Sequence, residues 1–378
     1  MRGCERSRPF CLLCGIAIAL AVSTLQGCKP RDSIRIGFVA GTSGRVADLG
    51  ISGRDAAQLA IEQCNRDGGI GGHPVQLIVK DDQQNPDSAR QVVKELIDEG
   101  AVAMIGPMTS DMAVAVTPLL NEARLVTVSP TATTQSLSGK DDYFFRVTST
   151  TLAYARKSAR YQIDRAGARR IAAVYDRGNR SFCENWLANF KKVFTDSGGE
   201  IVVTANFKSD EPPTFLEIAG KLLASQPDCV IIIANSMDSA LLCHQIRKID
   251  TETPIMLADW VATERLLELG GKAVEGITVV QTFDRNSQAP RYQTFRKTYI
   301  ERYQREPGFP GVHTYDAVQV VLATLHAQKS GESFKETLLS IRTFEGLQSS
   351  FRLDEFGDTN RGYETIGIVR NNRFAVLE

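Results

Sequence analysis

The sequence predicts an α/β protein made of two Rossmann-like lobes whose sheets are mostly parallel. Three observations support this prediction. Apolar strand patterns alternate with helix patterns along the chain, which is typical of βαβ units. The length of 378 residues is sufficient for two domains. Segments 75–106 and 201–234 follow one plan of strand, acidic turn with proline, helix and strand, which favours two similar lobes.

Residues 1–27 have the composition of a secretory signal peptide. Three arginines precede an apolar run, residues 10–22, which is too short to span a bilayer comfortably. The sequence Leu25-Gln26-Gly27-Cys28 resembles a bacterial lipobox, and this resemblance implies cleavage before Cys28 and lipid attachment to its thiol. Residues 28–33 then form a lipidated tether. The alternative is a plain signal peptide followed by an incidental cysteine.

After the tether, strands and helices alternate regularly. The predicted elements are strand 34–40, helix 55–65, strand 75–79, helix 86–99, strand 102–105, helix 112–121 and strand 125–128. The glycine-dense segment 68–72 ends the first of these helices. This alternation predicts βαβ units and a mostly parallel sheet.

The same alternation begins again near residue 150. The predicted elements are helix 152–166, strand 170–175, helix 183–196, strand 201–205, helix 215–225, strand 229–234, helix 239–249 and strand 254–257. The less repetitive final third contains strand 276–283, helices 290–305, 312–329 and 334–341, and strands 363–369 and 373–377. Asn371 and Asn372 predict a hairpin turn between the last two strands, because asparagine tolerates positive φ.

Charge and hydropathy exclude several functional classes. The chain has 44 basic and 44 acidic residues and a formal net charge of zero, which argues against a nucleic-acid partner held by a basic face. No stretch after the signal peptide reaches about 18 uninterrupted apolar residues, so we expect no membrane span there. A gene regulator of similar fold would begin with a DNA-binding helix-turn-helix, and this chain begins with a signal peptide instead.

The sequence contains no recognisable catalytic or metal-binding motif. It lacks a G-x-S-x-G elbow, a Walker loop and H-E-x-x-H, and no histidine lies at a recognisable spacing from a nucleophile. We therefore predict no catalytic residue, metal site or cofactor. Export to an oxidising compartment permits a disulfide among the later cysteines, Cys64, Cys183, Cys229 and Cys243. Cys229 and Cys243 lie in apolar patterns that favour buried free thiols.

Small and hydroxyl residues follow two successive predicted strands. Thr109 and Ser110 close the loop 106–110 before a helix, and Thr131 lies in the hydroxyl-rich loop 128–134. Ligands of open α/β sheets bind at the carboxyl ends of strands, where helix N-termini suit a carboxylate. The alternatives are that the first loop only caps the helix and that the second is an ordinary polar turn.

Several short segments together resemble the type I periplasmic binding proteins, in particular the leucine/isoleucine/valine-binding group that serves ABC importers. The matching segments are 34–37, 59–62 with 68–72, 80–83, Gly106-Pro107 with Ser110, 129–133, 143–146 and 315–318. The resemblance implies two lobes that are joined by three crossovers and close on a ligand like a hinge. The implied N-lobe comprises residues 34–148 and 282–350, and the implied C-lobe comprises residues 149–281 and 351–378.

The resemblance also implies ligand-binding residues. Ser110, Ala132 and Thr133 match the positions that hold the carboxylate and ammonium of an amino acid, through hydroxyl and backbone groups. Asp259 falls where the family often has an acidic residue for the ammonium, and a buried cation needs such a paired charge. The alternative for Asp259 is a turn residue at the end of a strand.

Three positions depart from the pattern of leucine binders. Leu49 stands where an aromatic residue is frequent, Phe182 is the nearest match to a ligand-facing tyrosine, and Asn235 follows a strand where leucine binders tend to have tyrosine. These departures allow a roomier or more polar pocket than a leucine pocket. Trp260 and His313 are candidate wall residues or, alternatively, contribute to packing between the lobes.

The resulting prediction is an exported, lipid-anchored solute-binding protein that faces the periplasm or the cell exterior. It captures an amino acid of the branched-chain type, or a related small polar molecule, and delivers it to an ABC permease. We expect it to be a monomer without enzymatic activity. Ligand contacts to both lobes favour the closed state. The alternative is a sensory protein that presents its closed state to a membrane receptor or kinase. An exported enzyme would need a nucleophile–base pair that the sequence does not offer.

Overall fold

Two sheets organise the chain into two α/β lobes. The computed structural model describes residues 32–211, 214–359 and 361–377. The signal peptide, Cys28 and most of the tether lie outside these residues. Both large sheets are mostly parallel, as the sequence predicts. None of the helices in the described part of the chain is long and apolar enough to cross a membrane.

The first lobe is built on a five-stranded parallel sheet. Its strands are β1 (Ile34–Ala40), β2 (Val75–Asp81), β3 (Ala103–Ile105), β4 (Thr127–Ser129) and β5 (Phe144–Arg146). Their spatial order is β2-β1-β3-β4-β5, and all neighbouring pairs are parallel. The helices that connect them are α1 (Ala47–Arg66), α2 (Pro86–Asp98) and α3 (Ser110–Ala123).

The second lobe is built on a seven-stranded sheet. Its first five strands are β6 (Arg170–Asp176), β7 (Glu200–Phe207), β8 (Cys229–Ile233), β9 (Ile255–Leu257) and β10 (Thr278–Gln281). The helices among them are α4 (Thr151–Arg160), α5 (Arg180–Asp196), α6 (Phe215–Ala224), α7 (Ser236–Ile249) and α8 (Glu264–Gly270). The strands of this group that lie side by side are all parallel.

The last third of the chain contributes to both lobes. Its helices are α9 (Pro290–Tyr303), α10 (Gly308–Ala327) and α11 (Phe334–Ile341), and α10 packs along α1 of the first lobe. A small hairpin of β11 (Thr343–Glu345) and β12 (Ser350–Arg352) follows. Strands β13 (Thr365–Arg370) and β14 (Arg373–Val376) then complete the second sheet in the order β14-β13-β10-β9-β8-β6-β7.

The chain passes between the two sheets three times. The passages follow β5, β10 and β12, at residues 147–150, at residues 282–289, and at residues 353–359 and 361–364. The predicted residue boundaries of the lobes remain a prediction. One buried cluster ties the second and third passages to α10, because Arg361 forms an ion pair with Asp316 at 2.7 Å and Thr282 Oγ1 lies 3.1 Å from His313 Nε2.

The two copies of one sequence plan occupy equivalent places in the lobes. Segment 75–106 contains β2, α2 and β3, and segment 201–234 contains β7, α6 and β8. In each lobe the strand that precedes the copy, β1 or β6, lies between its two strands. The orders β2-β1-β3 and β7-β6-β8 are therefore the same. The expected similarity of the lobes is confirmed at this level.

Local capping and turn chemistry fix several element ends. The side chain of Asn85 accepts hydrogen bonds from the amides of Asp87 and Ser88, and Pro86 opens α2. Asn371 and Asn372 adopt φ values of 52° and 56° between β13 and β14, so the predicted hairpin turn is confirmed.

Other element boundaries differ from the sequence prediction. Helix α1 begins at Ala47 rather than at residue 55. The sequence prediction missed its first two turns because they contain polar residues and two glycines, although they pack against the lobe. A Cβ at Gly50 would lie 2.1 Å from the carbonyl oxygen of Gly41, so the glycine permits this close approach. Helices α3 and α5 also begin earlier than predicted, at Ser110 and Arg180, since first turns carry little apolar periodicity.

Gly106 and Gly68 allow a matched test of close backbone packing. Both have a φ of 101°, but a Cβ at Gly106 would lie 2.1 Å from the Val39 carbonyl oxygen, whereas Gly68 has open space. We expect Gly68→Ala to lower the free energy of unfolding by about 1 kcal/mol, from positive φ alone. Gly106→Ala should lower it by about 3 kcal/mol, measured by urea denaturation. Equal losses for the two variants would contradict this account.

Candidate functional site

A small cavity lies between the lobes at the carboxyl ends of several parallel strands. In the closed arrangement its free volume is about 20 Å³, which is enough for about one water molecule. This is far below the roughly 300–1,000 Å³ of drug-sized ligand pockets. Its lining residues are Leu49, Met108, Thr109, Ser110, Thr131, Asn179, Phe182, Asp259, Trp260 and Phe309. The position is the one expected for a ligand in open α/β sheets.

The two hydroxyl-rich loops of the first lobe hold each other in place. Ser129 Oγ donates to the Pro107 carbonyl at 2.7 Å. Thr131 Oγ1 donates to the Met108 carbonyl at 2.5 Å. Because these bonds cross from one loop to the other, they fix the loop after β3 against the loop after β4. Neighbouring Thr109 and Ser110 are thereby held at the edge of the cavity.

Two buried threonine hydroxyls in these loops have no hydrogen-bond partner within the described residues. Thr109 occupies the N-cap position of α3, but its side chain does not cap the helix. Its Oγ1 and the Oγ1 of Thr133 are both buried and unpaired. An unpaired buried hydroxyl costs free energy, so such groups are uncommon unless they serve a ligand or water. Thr109 lines the cavity, whereas Thr133 is not part of its lining.

The carboxyl group of Asp259 is the most unusual polar group of the cavity. It is 5% exposed, and burial raises its pKa to about 7. Trp186 Nε1 donates to its Oδ1 at 3.0 Å. Within the described residues no basic side chain forms an ion pair with it. A buried carboxylate of this kind is stabilised by a cation that enters the cavity.

An apolar wall lies beside these polar groups. Phe182 meets Trp260 edge to face, with their ring centroids 5.6 Å apart. Leu49, Met108 and Phe309 add aliphatic and aromatic surface from the first lobe. The cavity therefore combines hydrogen-bond donors, one carboxylate and an apolar surface. This combination suits a small amphiphilic molecule with a cationic group.

The structure brings together seven of the residues that the sequence analysis selected. They are Leu49, Thr109, Ser110, Thr131, Phe182, Asp259 and Trp260. Their roles in ligand binding remain predictions. Met108, Asn179 and Phe309 also line the cavity and were not selected. Met108 lies within the loop 106–110 that was singled out, whereas Phe309 lies outside every such segment and gave no local signal.

Three selected residues and one candidate wall residue lie away from the cavity lining. Ala132 packs among small and apolar residues, and its amide donates to Ser129 Oγ at 3.1 Å. Thr133 is buried beside it. Asn235 caps α7, since its Oδ1 accepts from the Asp238 amide at 2.9 Å. His313 belongs to the cluster that ties the passages between the lobes.

Direct contacts between the lobes surround the cavity. Asp48 Oδ2 accepts hydrogen bonds from Ser236 Oγ at 2.7 Å and from Thr263 Oγ1 at 2.6 Å. Arg45 forms an ion pair with the buried carboxylate of Asp238. These contacts join α1 and the preceding turn of the first lobe to α7 and α8 of the second. The lobes are therefore closed against each other around the cavity.

Neither a metal centre nor a disulfide is found in the described part of the chain. No cluster of three or more potential metal-ligating side chains occurs among these residues. The thiols of Cys64, Cys183, Cys229 and Cys243 are free, and all but Cys64 are buried. The expectation of buried free thiols at Cys229 and Cys243 is confirmed.

Comparison with known proteins identifies the class of this two-lobed binder. Residues 33–372 match the family model described as periplasmic binding protein, so the chain belongs to that family. The predicted family and fold class are confirmed. The family consists of exported substrate-binding proteins without enzymatic activity, which also confirms the prediction that the chain is not an enzyme.

Individual relatives are similar over nearly their whole length. The leucine-, isoleucine-, valine-, threonine-, and alanine-binding protein of Pseudomonas aeruginosa is 23% identical over 333 residues, which cover 86% of this chain and 87% of that protein. The branched-chain amino acid transporter substrate binding protein of Streptococcus pneumoniae, solved with isoleucine, has a TM-score of 0.83 at 22% identity and covers 92% and 99% of the two chains. A solute binding protein of R. palustris, solved with benzoate, has a TM-score of 0.79 at 21% identity and covers 91% and 95%.

The titration of Asp259 can be followed through tryptophan fluorescence. The chain has two tryptophans, of which Trp186 donates to Asp259 and Trp260 follows it in the cavity wall. We expect a change in emission with a midpoint near pH 7 that Asp259→Asn abolishes, because the charge beside both indoles is then constant. The exposed control Asp196→Asn should retain the transition. A transition that persists in Asp259→Asn would assign it to another group.

Proposed function

We propose that this chain captures a small apolar amino acid of the branched-chain type and delivers it to an ABC importer. The observation that carries the proposal is the cavity enclosed by both lobes, which the buried carboxyl of Asp259 shares with apolar side chains and the unpaired hydroxyl of Thr109. The binding functions in the names of the relatives support the same ligand class.

Each part of the cavity matches one part of such a ligand. Thr109 and Ser110 at the start of α3 offer hydroxyl groups and free amides to the carboxylate, where the helix dipole also favours negative charge. Asp259 offers its charge to the ammonium group. Phe182 and Trp260 form the apolar surface for the side chain.

Ligand capture and closure are linked in this proposal. The carboxylate sites belong to the first lobe and Asp259 to the second, so an amino acid bridges the two lobes. A ligand that binds the closed form better shifts the equilibrium toward it by that difference in affinity. The closed form, with its lobes fixed by contacts such as Asp48 with Ser236, is then the form offered to the permease.

Thermal unfolding with a ligand panel tests this assignment. At pH 8, L-leucine, L-isoleucine or L-valine at about 100 times its Kd should add roughly 2.7 kcal/mol to the free energy of unfolding and raise Tm. Asp259→Asn should lose this response, because the buried ammonium then lacks its counter-charge. Asp196→Asn, an exposed change of the same kind, should keep it.

The pH dependence and a ligand without an amine sharpen the same experiment. An ammonium pairs with the ionised form of Asp259, so affinity should be constant above pH 7 and fall about tenfold per unit below it. Benzoate, which lacks an amine, provides the contrasting ligand. A Tm increase with benzoate that survives Asp259→Asn, together with no response to amino acids, would contradict the proposed ligand class.

We also propose that the exported chain is anchored to the membrane through lipid on Cys28, as the lipobox-like sequence indicates. Expression with the native signal peptide should place the protein in the membrane fraction, and Cys28→Ser should release it to the soluble exported fraction. The control Cys64→Ser should remain in the membrane fraction. Recovery of the wild-type protein in the soluble fraction would contradict the anchor.

A further inference from the structure

We propose that Asp111 is a positioning residue, which couples ligand capture to lobe closure by capping a helix of the opposite lobe. Asp111 lies in the first turn of α3, in the first lobe. Its side chain contacts the first turn of α5, in the second lobe. The proposal extends the proposed function by naming a residue that holds the closed state without touching the ligand.

The carboxylate of Asp111 accepts two backbone hydrogen bonds across the cleft. Its Oδ2 accepts from the Arg180 amide at 2.8 Å, and its Oδ1 accepts from the Ser181 amide at 2.7 Å. The N-cap residue of α5, Asn179, makes no side-chain hydrogen bond to its own helix. The free amides at the start of a helix need hydrogen-bond acceptors. For α5, the carboxylate of Asp111 in the other lobe is that acceptor.

The capping is reciprocal. Asn179 Oδ1 accepts from the Asp111 amide at 3.1 Å, in the first turn of α3. The N-cap residue of α3, Thr109, makes no side-chain hydrogen bond to its own helix either. Each helix start therefore obtains a side-chain acceptor from the opposite lobe. Because these hydrogen bonds join two lobes, separation of the lobes breaks all three.

Charge gives this contact a further role. A helix N-terminus carries roughly half a positive charge, so the facing starts of α3 and α5 repel each other. The carboxylate of Asp111 lies between them and bonds directly to the amides of α5. A carboxylate at this place offsets the repulsion that closure creates. A neutral side chain of the same shape does so less well.

The reciprocal cap is directly connected to the cavity. Ser110 precedes Asp111 and lines the cavity, and Asn179 and Phe182 of α5 line it from the other side. A ligand held between Ser110 and Phe182 therefore requires the spacing of α3 and α5 at which the cap forms. The cap is an interaction of the closed state alone, and such an interaction increases the closed population.

Asp87 provides a matched control. It is the second residue of α2, as Asp111 is the second residue of α3, and it is exposed and pairs with Arg90 of the same helix. In the purified protein we compare Asp111→Ala, Asp111→Asn and Asp87→Asn. One measurement is hydrogen exchange of the Arg180 and Ser181 amides, and the other is the dissociation rate of L-leucine.

Asp111→Ala should speed exchange of these two amides and increase the leucine dissociation rate about tenfold, with an unchanged association rate, because only closed-state contacts are lost. Asp111→Asn should be intermediate, since its amide oxygen replaces one of two acceptors. Asp87→Asn should match wild type in both measurements. A general loss of packing would instead speed exchange throughout the lobe and lower Tm without leucine, and that result would overturn the proposal.

The two measurements separate this proposal from the proposed function. If wild type does not bind leucine, the function fails for that ligand, while amide exchange still decides the role of Asp111. If leucine binds but Asp111→Ala matches wild type in amide exchange and dissociation, the capping role is overturned and the proposed function stands. Asp111→Asn decides the question in the same way if Asp111→Ala fails to fold.

Discussion

When the two lobes close, the N-termini of their helices, which carry partial positive charge, come face to face, and closure of the cleft depends on how this charge is offset. Acidic residues in the first turns of helices offset it at three places. Asp48 of α1 binds Ser236 and Thr263, Asp111 of α3 binds the start of α5, and Asp238 of α7 pairs with Arg45. Each contact joins one lobe to the other. The carboxylates that stabilise the N-termini of helices therefore also hold the two lobes together.

Asp259 differs from these acids because its charge is buried without a partner cation in the described protein. Burial shifts its pKa to about 7, so the ionised form is costly until a cation enters. In the proposed function, a ligand ammonium removes that cost, and the carboxylate of the same ligand reaches the first lobe. Binding and closure then draw on one ligand, held by contacts that no single lobe can supply. This is the physical basis on which two lobes joined by three passages act as a clamp.

Much of the architecture follows from local sequence patterns, whereas the details of the cleft do not. The strand–helix alternation, the internal copy and the Asn371–Asn372 turn are local signals, and the structure agrees with them. Helix starts at Ala47 and Arg180 were missed because first turns are polar and lack apolar periodicity. Phe309 reaches the cavity only because α10 packs along α1, a contact between residues far apart in sequence.

The departures from the leucine-binder pattern reveal how this cavity acquires its shape. Asn235 would have brought polarity, but its side chain is used as the cap of α7 and does not line the cavity. Phe182 has no hydroxyl and packs edge to face on Trp260, so this side of the cavity is apolar. With Leu49 in place of an aromatic ring, the free volume of the closed cavity is still only about 20 Å³. Phe309 and Met108 supply the remaining bulk, and the polar groups are concentrated around Asp259 and the start of α3. In the proposed function, a cavity divided in this way discriminates by the charged end of its ligand, while the apolar wall contacts the other end.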